Sequence, residues 1–285
     1  MWELKYSFQD PVGEIRIAED WSGEGNGIAG LQWLGGVVLS RYMDSRQVFP
    51  EEHFVGCRVI EVGAGCGLTS IYAALRGADV TITDMDIGKC VENVESNLGP
   101  RGLAGNALVQ RLEWASAEDL ALLQPPYDVV IAGDCLYEEA CIAPLLQTMW
   151  ALAGPKTEIL LCGVVGHGIL DSFLAQVDSY FHRETVDTSK IDTLAEVSDQ
   201  NVQDATAGGV PPAIADVGLE RENAPQCVSV QANDAALAGD GSRRGARRPG
   251  QRALLRLRKK PRATGMGGAE EESLREGVAI ETVVA

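Results

Sequence analysis

The chain has 285 residues, 45% of them hydrophobic, which is enough for one large domain with a real core. Its net charge of −17 argues against specific nucleic-acid binding, which needs a positive face for phosphates, and permits a basic protein partner. Seven scattered cysteines without a Cys-x-x-Cys pair, no basic-then-apolar leader and no run approaching a membrane span point to a reducing compartment, cytoplasmic and also nuclear, without a metal site or a membrane partner.

In chain order, short strands over Leu4–Phe8 and Glu14–Ala18 precede a Gly-rich loop, Gly23–Gly30. A helix is predicted over Leu31–Met43, where Val38, Leu39, Tyr42 and Met43 have helical spacing. Strand Arg58–Val62 leads into helix Leu68–Arg76, with Gly77 as its C-cap. Asp79–Thr83 alternates and is β-branched, so it reads as the second strand, and Ile87–Leu98 is a helix stopped by Gly99-Pro100. Then follow strand Ala107–Leu112, a short helix Ser116–Leu123, the apolar strand Asp128–Ala132, helix Glu138–Leu152, strand Thr157–Cys162 and helix Ser172–Phe181. This alternation predicts a Rossmann-like, doubly wound α/β sheet, with the ligand beyond the carboxyl ends of the strands, at the switch point beside the first one.

The domain organisation divides accordingly. Residues 1–30 carry the first strands and loop, and 31–187 the core. Residues 188–250, rich in Ala, Asp, Gly, Gln and Ser and poor in large apolar residues, read as a flexible insertion. It ends in Arg243-Arg244-Gly245-Ala246-Arg247-Arg248, a solvated charged linker or, alternatively, a nuclear-import or RNA-contact segment. Alternation resumes in Arg252-Ala253-Leu254-Leu255-Arg256-Leu257-Arg258, so residues 251–260 read as a returning strand of the same sheet, followed by a disordered tail, 261–285.

The chemistry concentrates in Val59-Ile60-Glu61-Val62-Gly63-Ala64-Gly65-Cys66-Gly67-Leu68. An apolar strand ends in three glycines spaced by single residues and feeds a helix, so backbone can approach a ligand without an intervening Cβ. A dinucleotide fingerprint requires a small residue at the sixth position from Gly63, which here is Leu68, and the third glycine comes one residue early. Asp84, ending the second strand about twenty residues on, suits ribose hydroxyls. Its alternative role is a turn or helix cap before Ile87. Trp114, after the third strand, is placed to cover an adenine face or else belongs to the core.

Glu61-Val62-Gly63-Ala64-Gly65-Cys66-Gly67 resembles the first motif of the class I S-adenosylmethionine-dependent methyltransferases. Tyr127-Asp128-Val129-Val130-Ile131-Ala132-Gly133-Asp134-Cys135-Leu136-Tyr137 resembles the Asp-x-x-Tyr motif of the seven-stranded protein lysine methyltransferases, methyltransferase family 16. Gly30-Leu31-Gln32-Trp33 is similar to that family's Gly-x-x-Trp segment, and Leu112-Glu113-Trp114 to its Leu-Asp-Trp. The likeness covers roughly Gly27 to Phe181 plus Arg252–Lys259, with the motifs in order. It implies a seven-stranded sheet, mostly parallel with an antiparallel final strand. The implied cofactor is S-adenosylmethionine, held by Trp33, Glu61, Gly63, Ala64, Gly65, Asp84, Trp114 and Gly133.

The implied substrate is the lysine side chain of a protein, methylated by a monomeric enzyme. Asp134 would accept a hydrogen bond from the entering amine and orient its lone pair, and Tyr137 would wall the lysine channel. The competing classes are a non-catalytic binding module of the same fold and a methyltransferase acting on a small molecule or on histidine. Two segments depart from the family pattern: Trp33 is followed by Leu34-Gly35 rather than Trp-Asp, and Cys162-Gly163-Val164-Val165-Gly166-His167 replaces polar or basic residues. Gln124-Pro125-Pro126-Tyr127 imitates the Asn-Pro-Pro-Tyr motif of amide and exocyclic-amine methyltransferases, but it precedes the fourth strand and reads as a loop.

Overall fold

A computed structural model of the chain describes residues 2–20, 27–103, 106–164, 168–187 and 252–261. The expected insertion 188–250, nearly all of the tail 261–285, and His167 lie outside the described residues. The elements are β1 (Trp2–Ser7), β2 (Glu14–Glu19), α1 (Leu34–Asp44), β3 (Arg58–Val62), α2 (Leu68–Leu75), β4 (Asp79–Asp84), α3 (Gly88–Leu98), β5 (Ala107–Arg111), α4 (Ala117–Ala121), β6 (Tyr127–Gly133), α5 (Ile142–Leu152), β7 (Ala153–Val164), α6 (Ile169–Val177), β8 (Phe181–Thr185) and β9 (Arg252–Lys259).

Seven strands form one sheet in the order β5-β4-β3-β6-β7-β9-β8, and β1 and β2 form a separate hairpin. The first five of the seven are parallel, whereas β9 runs antiparallel to both β7 and β8. Strand order reverses at β3, whose neighbours are β4 on one side and β6 on the other, so a crevice forms beyond its carboxyl end.

Period-two alternation divides the core between the two faces. Val59, Val129, Ile131 and Leu160 pack with α1, α2 and α3, while Ile60, Val62, Val130, Leu161 and Leu255 pack with α5 and α6. The hairpin joins the first layer through Ile15 and Ile17, both fully buried. The backbone of β2 is met by α3: Asn93 Oδ1 accepts from Ala18 N at 2.8 Å and Asn97 Oδ1 from Arg16 N at 2.9 Å. Two asparagines four apart on one helix face thus bond the strand as a neighbouring strand would.

Element boundaries differ from expectation mainly in four places, one of them β7, which begins at Ala153 rather than Thr157. Helix α1 begins at Leu34 rather than Leu31, and a 3-10 turn, Glu139–Cys141, precedes α5, so that helix starts at Ile142. The helix expected over Ser172–Phe181 is α6, which ends at Val177 and is followed by strand β8. Phe173, Val177 and Phe181 are all fully buried at intervals of four, which imitates a continuing helix. Strand β8 owes its conformation to pairing with β9, from Phe181 opposite Lys259 to Thr185 opposite Leu255. The Gln124-Pro125-Pro126 segment lies at the amino end of β6, where Arg58 Nη1 donates to the Pro126 carbonyl at 2.8 Å.

Candidate active site

The loop between β3 and α2 turns on glycines in the left-handed region, with φ of +70° at Gly63, +53° at Gly65 and +86° at Gly67. A Cβ on Gly63 would lie 2.8 Å from the Cys135 sulfur and 3.1 Å from Cζ2 of Trp114, so backbone is the largest group that fits. At Gly65 the nearest atoms to a Cβ are carbonyl oxygens 3.5 and 3.6 Å away, and the constraint there is φ rather than crowding.

Strand β4 fastens the loop. The Gly65 amide donates to Asp84 Oδ2 at 2.8 Å, and the Ala64 amide to the Thr83 carbonyl at 3.0 Å. Burial pushes the Asp84 carboxyl above its ordinary range, and the backbone amides it accepts from oppose that rise. Asp84 does not cap α3, which starts at Gly88 after Ile87, but its Oδ1 accepts from the Asp86 amide at 3.2 Å in the turn before that helix. Glu61, buried beneath the loop, accepts from the Ser70 amide at 3.0 Å and so satisfies a first-turn donor of α2. Burial raises its carboxyl to about 7, against the hydrogen bonds from Ser70 and Thr69.

Trp33, Glu61, Gly63, Ala64, Gly65 and Gly133 line one cleft together with Leu31, Gln32, Gly36 and Thr69. Trp33 precedes α1, and its indole donates to the Ile28 carbonyl at 2.8 Å. Trp114 reaches the loop at Gly63, and its ring centroid is 6.3 Å from that of Tyr137. Its position is set by Ala115, which has φ of +63° and donates its amide to the buried Thr148 hydroxyl at 2.8 Å.

Gly133 lines the cleft, and the next residue turns away from it. Asp134 has φ of +56°, its amide donates to the Cys162 carbonyl at 2.8 Å, and its Oδ2 accepts from the Gly35 amide at 2.7 Å. Aspartate tolerates this conformation better than most residues, though not without cost. The carboxylate is nearly buried at 9% exposure, whereas Tyr137 reaches solvent at 36%. Burial, with the Cys141 thiol beside it, raises the Tyr137 phenol above its ordinary value, so it is a neutral hydrogen-bonding group at physiological pH.

All ten residues singled out in the sequence thus gather around the carboxyl ends of β3, β4, β5 and β6: six line the cleft, Asp84 and Trp114 touch its glycine loop, Asp134 follows the cleft-lining Gly133 with its carboxylate on the Gly35 amide, and the Tyr137 ring lies beside that of Trp114. Gln32, Gly35, Gly36 and Thr69 join them without having been singled out. The available signal was Gly35-Gly36 in the first turn of a helix, where each glycine costs about 1 kcal/mol relative to alanine. A Cβ on Gly35 would lie 2.6 Å from Asp134 Cγ, and one on Gly133 3.0 Å from the Gly36 amide nitrogen.

The family described as lysine methyltransferase, methyltransferase family 16, matches residues 10–180. The chain belongs to this family. Among its relatives, the protein N-lysine methyltransferase METTL21A of Mus musculus is 35% identical over 170 residues, covering 59% of this chain and 74% of that protein. The EEF1A lysine methyltransferase 3 of Mus musculus is 34% identical over 175 residues, covering 60% and 71%. Among solved structures, a TehB-like SAM-dependent methyltransferase of Corynebacterium glutamicum covers 78% of this chain and 88% of its own, with 12% identity and a TM-score of 0.44. The family match spans all four motifs from Gly30 to Tyr137, whereas β9 falls beyond it.

The cleft's donor set fits S-adenosylmethionine, the cofactor of methyltransferases of this fold. Gln32 Oε1 is buried and has no donor among the described residues, and it faces the same cleft as the Glu61 carboxyl. Two acceptors there suit the ammonium of an amino-acid moiety. Crowded glycines leave backbone alone to approach such a ligand.

Proposed function

We propose that the chain is an S-adenosylmethionine-dependent protein lysine N-methyltransferase. The observation that carries this reading is the junction Gly133-Asp134: one residue lines the cofactor cleft, and the carboxylate of the next is held by the amide of Gly35, whose neighbour Gly36 lines the same cleft. Donor and acceptor would therefore meet across a single peptide bond. Gln32 and Glu61 would hold the amino-acid part of the cofactor, Asp84 the ribose hydroxyls, and Trp33 and Trp114 the faces of the ligand. When bound, the cofactor supplies an electrophilic methyl group on a sulfonium.

The chain's own contribution is positioning and proton removal. A lysine amine with the ordinary pKa of about 10.4 is neutral in only roughly one molecule in 2,500 at pH 7. Partial desolvation of the amine beside Tyr137 favours its neutral form. Asp134 accepts a hydrogen bond from that amine and turns its lone pair toward the cleft. The enzyme acts as a monomer in the cytoplasm, with access to the nucleus, on a protein whose basic surface suits the acidic chain.

Tritiated S-adenosylmethionine added with the purified chain to a host lysate tests this reading. Labelled protein bands that disappear with Asp134→Ala, and that yield methyl-lysine on mass spectrometry, support it. Cofactor binding without transfer to any protein, or methyl-histidine as the product, refutes it.

A further inference from the structure

We infer that Gly35 is a positioning residue for methyl transfer, holding the Asp134 carboxylate through the amino terminus of α1; this deepens the proposed function and rests on it. Asp134 and Gly35 lie 99 residues apart in sequence, and the Gly35 amide donates to Asp134 Oδ2 at 2.7 Å. That amide belongs to the first turn of α1, whose donors have no helical acceptor, and Trp33, the capping residue, offers no side-chain acceptor. The carboxylate supplied from the end of β6 fills that role. A second observation fixes the approach from the other side. A Cβ on Gly35 would stand 2.6 Å from Asp134 Cγ and 2.8 Å from both its amide nitrogen and Oδ1. Helix backbone is therefore pressed directly on the carboxylate, and no larger residue fits between them.

The consequence is orientational. Asp134 leaves β6 in the left-handed region with its amide committed to the Cys162 carbonyl, so its backbone is pinned. The charge-assisted bond from Gly35 restricts rotation of the Asp134 side chain. The same helix turn also carries Gly36, which lines the cofactor cleft. Helix α1 thus references the acceptor carboxylate to the cofactor seat.

A double-mutant cycle on the full chain tests the inference, with tritiated S-adenosylmethionine, host lysate at increasing dilution as methyl acceptor, and calorimetry of S-adenosylhomocysteine. Gly35→Ala should lower the limiting rate about 100-fold, the size of effect that a displacement near 1 Å produces. The lysate concentration at half-saturation and the S-adenosylhomocysteine affinity should change by no more than about threefold. Gly35→Ala/Asp134→Ala should be as slow as Asp134→Ala alone, within about twofold, if the loss runs through the carboxylate rather than through the Asp134 amide nitrogen, which both single variants keep. Additive losses, or a Gly35→Ala rate within about threefold of wild type, overturn the inference. Should Gly35→Ala fail to fold, glycolic acid incorporated at position 35 removes the N–H without adding an atom, and the same criteria apply. A wild-type chain that binds S-adenosylhomocysteine yet labels no protein refutes the methyltransferase reading itself, and the positioning role with it. With an active wild type, only the cycle decides.

Discussion

Replacement of Gly63 by alanine probes how tightly the cofactor loop is held by its neighbours. Gly63 has φ of +70°, and its Cβ would meet the Cys135 sulfur at 2.8 Å and Trp114 Cζ2 at 3.1 Å. Holding an L-residue in the left-handed region costs about 1–2 kcal/mol. Forcing a methyl group into a packed site adds about 1–3 kcal/mol. At about 2–4 °C per kcal/mol for a domain of this size, the sum of about 2–5 kcal/mol lowers the melting temperature by roughly 4–20 °C. Calorimetry should show weaker S-adenosylhomocysteine binding as well, since the Trp114 ring must move. In a Cys135→Ala background the nearest atom is gone, so the same replacement should cost at least about 1 kcal/mol less than in wild type. Equal costs in both backgrounds, or a melting temperature within about 1 °C of wild type, would refute the argument that contact with Cys135 and Trp114 constrains the loop.

Three further outcomes follow from other contacts. Asp84→Ala removes the acceptor of the Gly65 amide and should weaken S-adenosylhomocysteine binding by about 1–3 kcal/mol, roughly 5–150-fold by calorimetry; an unchanged affinity would leave Asp84 without a ligand role. Glu61 holds its native proton up to about pH 7 against an ordinary value of 4.5, so its contribution to stability is present below 4.5 and lost as pH rises through 7. Glu61→Gln should therefore gain on wild type by roughly 3 kcal/mol between pH 4.5 and pH 8 in denaturant titrations, and a constant difference across that range would contradict the assignment. Thr185 pairs with Leu255 and the Val186 amide donates to the Leu254 carbonyl at 2.9 Å, so β8 and β9 have adjacent ends. Replacing residues 188–251 with a short flexible linker should leave the melting temperature and S-adenosylhomocysteine affinity within about 1 kcal/mol of wild type, and loss of folding would show that the long connection contributes contacts.

Local signals made the parallel half of the sheet readable from sequence. Arg58–Val62 is a short apolar run that ends where three glycines must turn, and both facts are written in adjacent residues. Each of the first four core strands is followed by its own helix, so strand, turn and helix reinforce one another over short distances. Arg252–Lys259 was readable because its alternation survives next to composition that has none. Strand β8 was not, because Phe181 continues a helical spacing and the partner that makes it a strand comes after residue 251.

The site divides in the same way. Sequence by itself determined which residue types stand where cofactor chemistry is done: the glycines of 63–67, the carboxylate ending β4, the tryptophans at 33 and 114, and Asp134 with Tyr137 after β6. The tertiary structure alone decided which of them touch, and through what. It set the Gly35 amide against a carboxylate 99 residues away, turned Asp84 to the Gly65 amide instead of a helix cap, and placed Cys135 and Trp114 over Gly63. The physical reason is range. Periodicity and turn chemistry act over a few residues, but the crevice exists only because β3 lies between β4 and β6, and that neighbourhood brings distant backbone within hydrogen-bond reach.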